Sequence, residues 1–268
     1  MPFYNVAPYI SAAIESAVTQ SYRDWELLLI DDGSTDDSAE IAQKFAADDE
    51  RIRYLRHRNG VNLGASASRN LGLRESRGSL ISYIDADDLW FPEKLENQVK
   101  LLTKSRHAEM VIGATKYWYS WSGSQKRDRV VLVGAVSDHL YGPGELLPLL
   151  YPLGPGAAPS MNTVMHRAEL IAKTGGWEEE FRIAYTDQAF LVKAYLHSSV
   201  IVSGDVWDLY RQRADSSMHT ALSGEGYHQI RRQFLLWFQG YLRKLGLVGS
   251  EAWDLVVQAA SPYLEKGS

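Results

Sequence analysis

The chain has 268 residues, 45% of them hydrophobic and 23% charged, with a net charge of −5 and no cysteine. The length suits one large domain or a domain with an extension; the charge excludes a broad basic field for nucleic acid, and the absence of thiols excludes disulfides and thiolate metal sites. No run of about 18 apolar residues could span a bilayer, and no basic-then-apolar leader opens the sequence, so the expectation is a cytoplasmic protein.

Strand and helix signals alternate through the first 115 residues. "PYISAAIESAVTQ" places Ile10, Ala13, Ile14, Ala17 and Val18 at helical spacing, with Pro8 near its start. "WELLLI" is a strand-length apolar run ending at Asp31 and Asp32, and "DGSTDDS" reads as a turn into the helix "AEIAQKFAADD". The strand "IRYLRH", the loop "RNGVNLG" and the helix "ASASRNLGLRES" follow. Then come the strand "SLISYI", the helix "PEKLENQVKLLTKS" and the strand "EMVIGATKYWY". This rhythm predicts a mostly parallel sheet covered by helices, with ligands beyond the carboxyl ends of the strands. Both Asp31–Asp32 and Asp85–Asp88 should line that edge.

The middle is irregular. "LYGPGELLPLLYPLGPGAAPSMN" is rich in Pro and Gly and reads as a loop with one short helix, a candidate mobile lid. "TVMHR" is strand-like, a short helix ends at Thr174, and "GGW" is a turn before the helix "DQAFLVKAYLH". "VIVSG" and "VWDLYRQR" read as two final strands. Helices follow from Gly226 to about Leu245 and from Ser250 to about Ala260.

The acidic cluster "DADD" at Asp85, Asp87 and Asp88 is the most informative local feature. One aspartate after a strand is ordinarily a turn or cap residue. Three carboxylates within four positions repel one another, and oxygen-rich sites of this kind hold hard cations such as Mg²⁺ or Mn²⁺. No Walker loop or G-x-G-x-x-G is present, so phosphates would be held by metal and basic side chains.

In order and spacing, "FYN", "SAVTQSYRDWELLLIDDGSTDDS", "NLGASASRNLGL" and "SLISYIDADDLWFPEKL" resemble the signatures of the family-2 glycosyltransferases, which have the GT-A fold. The likeness runs from Tyr4 to about Leu95 and continues more weakly through "MNTVMHR", "GGWEEEF" and "TDQAFLVKAY". It implies a Rossmann-like α/β domain over residues 1–222. Residues 1–115 would be the nucleotide-sugar half and residues 116–222 the acceptor and catalytic half. Residues 223–268 would form a helical C-terminal extension.

The resemblance also implies roles. Tyr4 would stack on the nucleotide base and Asp32 would hydrogen-bond it, with Asp31 structural. Asp85-Ala86-Asp87 matches the D-x-D motif: Asp87 would ligate Mn²⁺ or Mg²⁺ on the diphosphate, Asp85 would touch sugar hydroxyls, and Asp88 would support the site. Arg69 falls where relatives often carry a basic residue near the phosphates. Inverting transfer needs a carboxylate at the acceptor hydroxyl. The matching position is Asp187, where many relatives carry an acidic pair and this chain has Thr186-Asp187; the competing reading is a helix N-terminal acid.

The implied donor is a nucleotide-diphosphate sugar of UDP or dTDP type, and the acceptor a glycan or lipid-linked molecule. His166, His219 and Arg211 are further candidates near the diphosphate, and Trp177 near the acceptor. The helix spanning 227–245 carries Tyr227, Ile230, Phe234, Trp237, Phe238, Tyr241 and Leu245 on one face. That face could pack on its own domain or lie peripherally on the inner face of a membrane.

One departure stands out. Relatives begin with an apolar strand before the aromatic motif, whereas only Met1 and Pro2 precede "FYN" here. The first strand is therefore expected to be missing and the native chain longer. This supports an alternative reading, a truncated or non-catalytic nucleotide- or glycan-binding homologue.

Overall fold

A computed structural model describes residues 1–182, 184–213 and 225–264. Helix α1 (Ala7–Val18) buries Ile10, Ala13, Ile14 and Ala17, the stripe expected from their spacing, and Pro8 sits in the first turn where its missing amide needs no partner. Strand β2 (Leu27–Asp31) is buried along its whole length. Helix α2 (Ser38–Asp48), strand β3 (Ile52–Arg56) and helix α3 (Ala65–Glu75) follow. The first strand, expected to be missing, is present as a two-residue β1 (Pro2–Phe3). It runs parallel to β2, with Pro2 opposite Ile30 and Phe3 opposite Asp31, in a parallel sheet ordered β1-β2-β3.

The remaining strands are β4 (Leu80–Ser82), β5 (Leu89–Trp90), β6 (Met110–Trp118), β7 (Arg129–Val131), β8 (His139–Tyr141), β9 (Met165–Arg167) and β10 (Val200–Arg211). They form a second sheet ordered β4-β9-β6-β10-β5, with β7 on β6 and β8 on β10. Of its pairings only β6–β10 is parallel. The expected single, mostly parallel sheet is thus two sheets. The break falls between β2 and β4, where a slot of about 780 Å³ is lined by Met1, Leu27, Leu28, Ile30, Leu80, Ser82 and Ile84 among others.

β10 is one strand rather than the two expected, because register shifts around Val206 absorb the irregular "SGD". The Pro- and Gly-rich segment is mostly turns, and its one short helix is the 3-10 turn Met161–Thr163 at its end. It is pinned, not loose: Leu146, Leu147 and Leu150 are buried, and Gly134 donates to Ala157 O at 2.9 Å. A side chain at Gly156 would meet Gly134 O at 2.5 Å.

Helices α4 (Lys94–Lys104), α5 (Leu170–Thr174), α6 (Thr186–His197), α7 (Glu225–Lys244) and α8 (Glu251–Leu264) complete the described elements. Phe234, Leu235, Phe238 and Leu242 of α7 join Val256 and Ala260 of α8 in one core with Met110, Ile112, Phe190 and Val202. The aromatic face of α7 therefore covers the domain itself and is not free to lie on a membrane, while Leu245 remains 41% exposed. Among the described residues no helix is long and apolar enough to cross a membrane.

Candidate active site

Asp31 and Asp32 end β2 with different surroundings. Asp31 is enclosed and accepts from Ser34 N at 2.7 Å and Tyr54 Oη at 2.8 Å, with Arg56 Nε at 3.2 Å. It fixes the turn, as expected of a structural residue. Asp32 accepts from the backbone amides of Leu63 (2.8 Å) and Gly64 (2.9 Å), with His57 Nε2 at 3.6 Å. Tyr4 follows β1 and is 47% exposed; Val61 and Leu63 are exposed apolar residues of the loop that Asp32 holds.

The cluster after β4 is tightly organised. A turn closes with Asp88 N donating to Asp85 O at 3.1 Å. Asp88 has no exposed surface and accepts from Arg211 N and from Asn162 Nδ2, each at 2.7 Å. Burial, then Asp87 and Asp85, push its carboxyl well above the usual range. Burial and then Asp85 also raise Asp87, against the pull of Arg213 and Arg211. Arg213 lies 3.3 Å from Asp87 Oδ2, and Arg211 Nε donates to Asp87 O at 2.7 Å. Asn162 holds both ends of the cluster, since its Oδ1 accepts from Asp85 N at 2.8 Å.

Arg69 reaches the cluster from α3. Its guanidinium, 6% exposed, donates to Asp85 Oδ1 at 2.9 Å and to Asp187 Oδ1 at 3.0 Å. Burial works against its charge, but Asp187 and Asp85 outweigh it and hold the group protonated. The Trp177 ring lies 4.3 Å beneath it. Asp187 stands in the first turn of α6, just after Tyr185 in a left-handed conformation. Burial raises the Asp187 carboxyl while Arg69 pulls it back.

Arg69 therefore brings Asp85 and Asp187 together, and Asp87 and Asp88 share their turn with Asp85. Tyr4 and Asp32 stand apart, at the end of the first sheet. The smaller candidates fare differently. His166 is fully buried between Tyr83 Oη (2.9 Å) and Arg167 O (2.7 Å), and burial lowers it to about 4, so it is a neutral core residue. Trp177 stacks on Phe190 at 4.6 Å, buried under Arg69 and away from solvent. Arg211 is held among the rings of Tyr9, Trp118 and Trp121 and braces the acidic turn. His219 lies outside the described residues. Sequence reasoning missed Arg213 and Asn162; the basic "RQR" after the last strand was the available signal for Arg213.

The family model for glycosyl transferase family 2 matches residues 1–151, more than half of the 268. The chain belongs to glycosyl transferase family 2. It is 28% identical over 249 residues to an uncharacterized glycosyltransferase of Rickettsia prowazekii, covering 91% of this chain and 71% of the relative. It spans less than half the length of several other curated relatives it matches. Its fold is similar to Staphylococcus aureus TarS 1–349 solved with UDP-GlcNAc. The TM-score is 0.65 at 20% identity, over 98% of this chain and 70% of that one. It is also similar to the mannosyltransferase PcManGT of Pyrobaculum calidifontis solved with GDP-Man and Mn²⁺. There the TM-score is 0.53 at 18% identity, over 100% of this chain and 74% of that one.

Proposed function

We propose that this chain transfers a sugar from a nucleotide-diphosphate donor to an acceptor hydroxyl with inversion, using Asp187 as general base. The observation that carries this reading is the pair of Arg69 bonds to Asp85 and Asp187, because they set a donor-side and an acceptor-side carboxylate on one cation. Tyr4, with exposed Val61 and Leu63 nearby in the fold, offers apolar surface for a base, and Asp32 an acceptor for its N–H. Asp85 would take sugar hydroxyls, and Asp88 with Asn162 would keep the turn in shape. Asp187 would remove the acceptor proton as the hydroxyl attacks the anomeric carbon, and no enzyme nucleophile is needed.

The cluster suits Mn²⁺ or Mg²⁺ held by Asp87. It is all oxygen, and burial first, then the crowding of neighbouring carboxylates, pushes Asp87 and Asp88 upward. Among the described residues no three acidic or histidine groups form a metal cage, so donor oxygens and water would complete the ion's shell. Such an ion offsets charge on a leaving diphosphate. TarS, solved with UDP-GlcNAc, and PcManGT, solved with GDP-Man and Mn²⁺, support a nucleotide-sugar donor and a metal. The acceptor would be a glycan or a lipid-linked glycan. Contact with a membrane surface would have to use a surface other than the aromatic face of α7.

Incubation with Mn²⁺ and a panel of nucleotide sugars and acceptors, following nucleoside diphosphate release, tests the reading. Turnover that disappears in Asp187→Asn while nucleotide binding persists supports it. Binding without turnover for every donor and acceptor favours the non-catalytic alternative.

A further inference from the structure

Tyr185, two residues before Asp187, has φ 62° and ψ 10°, a left-handed backbone that bulky side chains resist. It is the residue from which α6 starts, so its geometry aims the first turn that carries Asp187. The contacts that hold it come from elsewhere in the chain. Its ring stacks on Phe234 of α7 with centroids 4.8 Å apart. Its hydroxyl accepts from Tyr151 Oη at 2.6 Å and from Arg231 Nη1 at 3.3 Å, and donates to Tyr227 Oη at 3.3 Å. Arg231 also donates through Nη2 to Pro152 O at 3.2 Å. One guanidinium from the C-terminal helix thus ties the Pro- and Gly-rich segment to the turn ahead of Asp187.

We infer that Arg231 and Tyr227 are positioning residues for Asp187: by fixing the Tyr185 hydroxyl they hold the left-handed turn that keeps the Asp187 carboxylate on Arg69. This rests on the reading of Asp187 as base. Stacking on Phe234 alone would satisfy burial of the ring, and an apolar core needs no arginine. The hydroxyl bonds add what stacking lacks, a fixed orientation of ring and backbone. The C-terminal helices are then part of the catalytic geometry and not an appended cover.

The test compares Arg231→Met, Arg231→Lys, Tyr185→Phe and Tyr227→Phe with Arg243→Met, farther along α7, which breaks a cation–ring contact with Trp253 of α8. Turnover and amide hydrogen exchange over residues 184–190 are measured on the full chain. Arg231→Met should lower kcat at least tenfold with donor KM within twofold, and speed exchange at the start of α6. Arg231→Lys should recover part of the loss, Tyr185→Phe and Tyr227→Phe should fall between, and Arg243→Met should match the parent. Wild-type exchange at 184–190 in Arg231→Met overturns the clamp, as does a kcat loss equalled by Arg243→Met. If the parent shows no turnover, the base reading fails by itself while exchange still decides whether Arg231 holds the turn.

Discussion

Arg69 Nη1 sits 3.0 Å from Asp187 Oδ1 while its other nitrogen holds Asp85 at 2.9 Å. Burial raises the Asp187 carboxyl, and the buried guanidinium pulls part of that rise back, so if Asp187 is the base, Arg69 favours its ionised form. A base works only when deprotonated, so turnover falls as pH drops through its pKa. In Arg69→Met the Asp187 carboxyl rises further, and the acid limb of the kcat profile moves to higher pH. Loss of at least tenfold in kcat, about 1.4 kcal/mol, is expected at neutral pH. An acid limb that stays in place in the variant separates Arg69 from the base.

Asp87 keeps 26% of its side chain exposed, against 32% for Asp85, and it faces Arg213 at 3.3 Å. If it binds the metal, Mn²⁺ should strengthen nucleoside diphosphate binding in the parent and leave Asp87→Asn unaffected. Calorimetric titration with and without Mn²⁺ measures the difference, expected to exceed tenfold in Kd. Equal Mn²⁺ dependence in both proteins removes Asp87 from the metal site.

The motifs around Asp32, Asp85–Asp88 and Asp187 were legible because their chemistry is written in consecutive residues. What completes them was not. Asn162 reaches Asp88 across 74 positions and Arg213 reaches Asp87 from beyond β10, and such pairs leave no local pattern. β5, β7 and β8 have two or three residues each, too short for a period-2 signal to register. Periodicity showed that α7 has an apolar face, yet only the packing of Phe234 and Trp237 on Phe181 and Tyr185 shows that the face points inward. The break between the two sheets was not foreseen, nor were the two residues that form β1.

Asp208 on β10 is buried with neither carboxylate oxygen hydrogen-bonded, although Thr115, Asn162 and Ser160 stand close to it. Burial raises it to about 7. The folded chain therefore favours the protonated form, and this contribution to stability is complete below about pH 4 and lost as pH rises to about 7. Asp208→Asn keeps the shape without the charge. It should be more stable than the parent at pH 8, by up to about 4 kcal/mol, and little different at pH 4. Denaturant unfolding at both pH values measures this, and equal differences at the two would exclude ionisation as the cause.

The Met1 ammonium closes the end of the slot between the two sheets, donating to Leu28 O at 3.0 Å. Burial first, then Arg69, lowers it from 8.0 to about 5, while Asp85 opposes the shift. An amine depressed in the folded state destabilises the fold below its unfolded pKa, so stability from this group should rise with pH between about 5 and about 8. Acetylation at Met1 removes the charge but keeps an N–H for Leu28, and should flatten that slope. The difference in unfolding free energy between free and acetylated chains, followed against pH, isolates Met1 from the opposite slope of Asp208. A difference that does not change between pH 5 and 8 would mean that the ammonium is solvated in the slot.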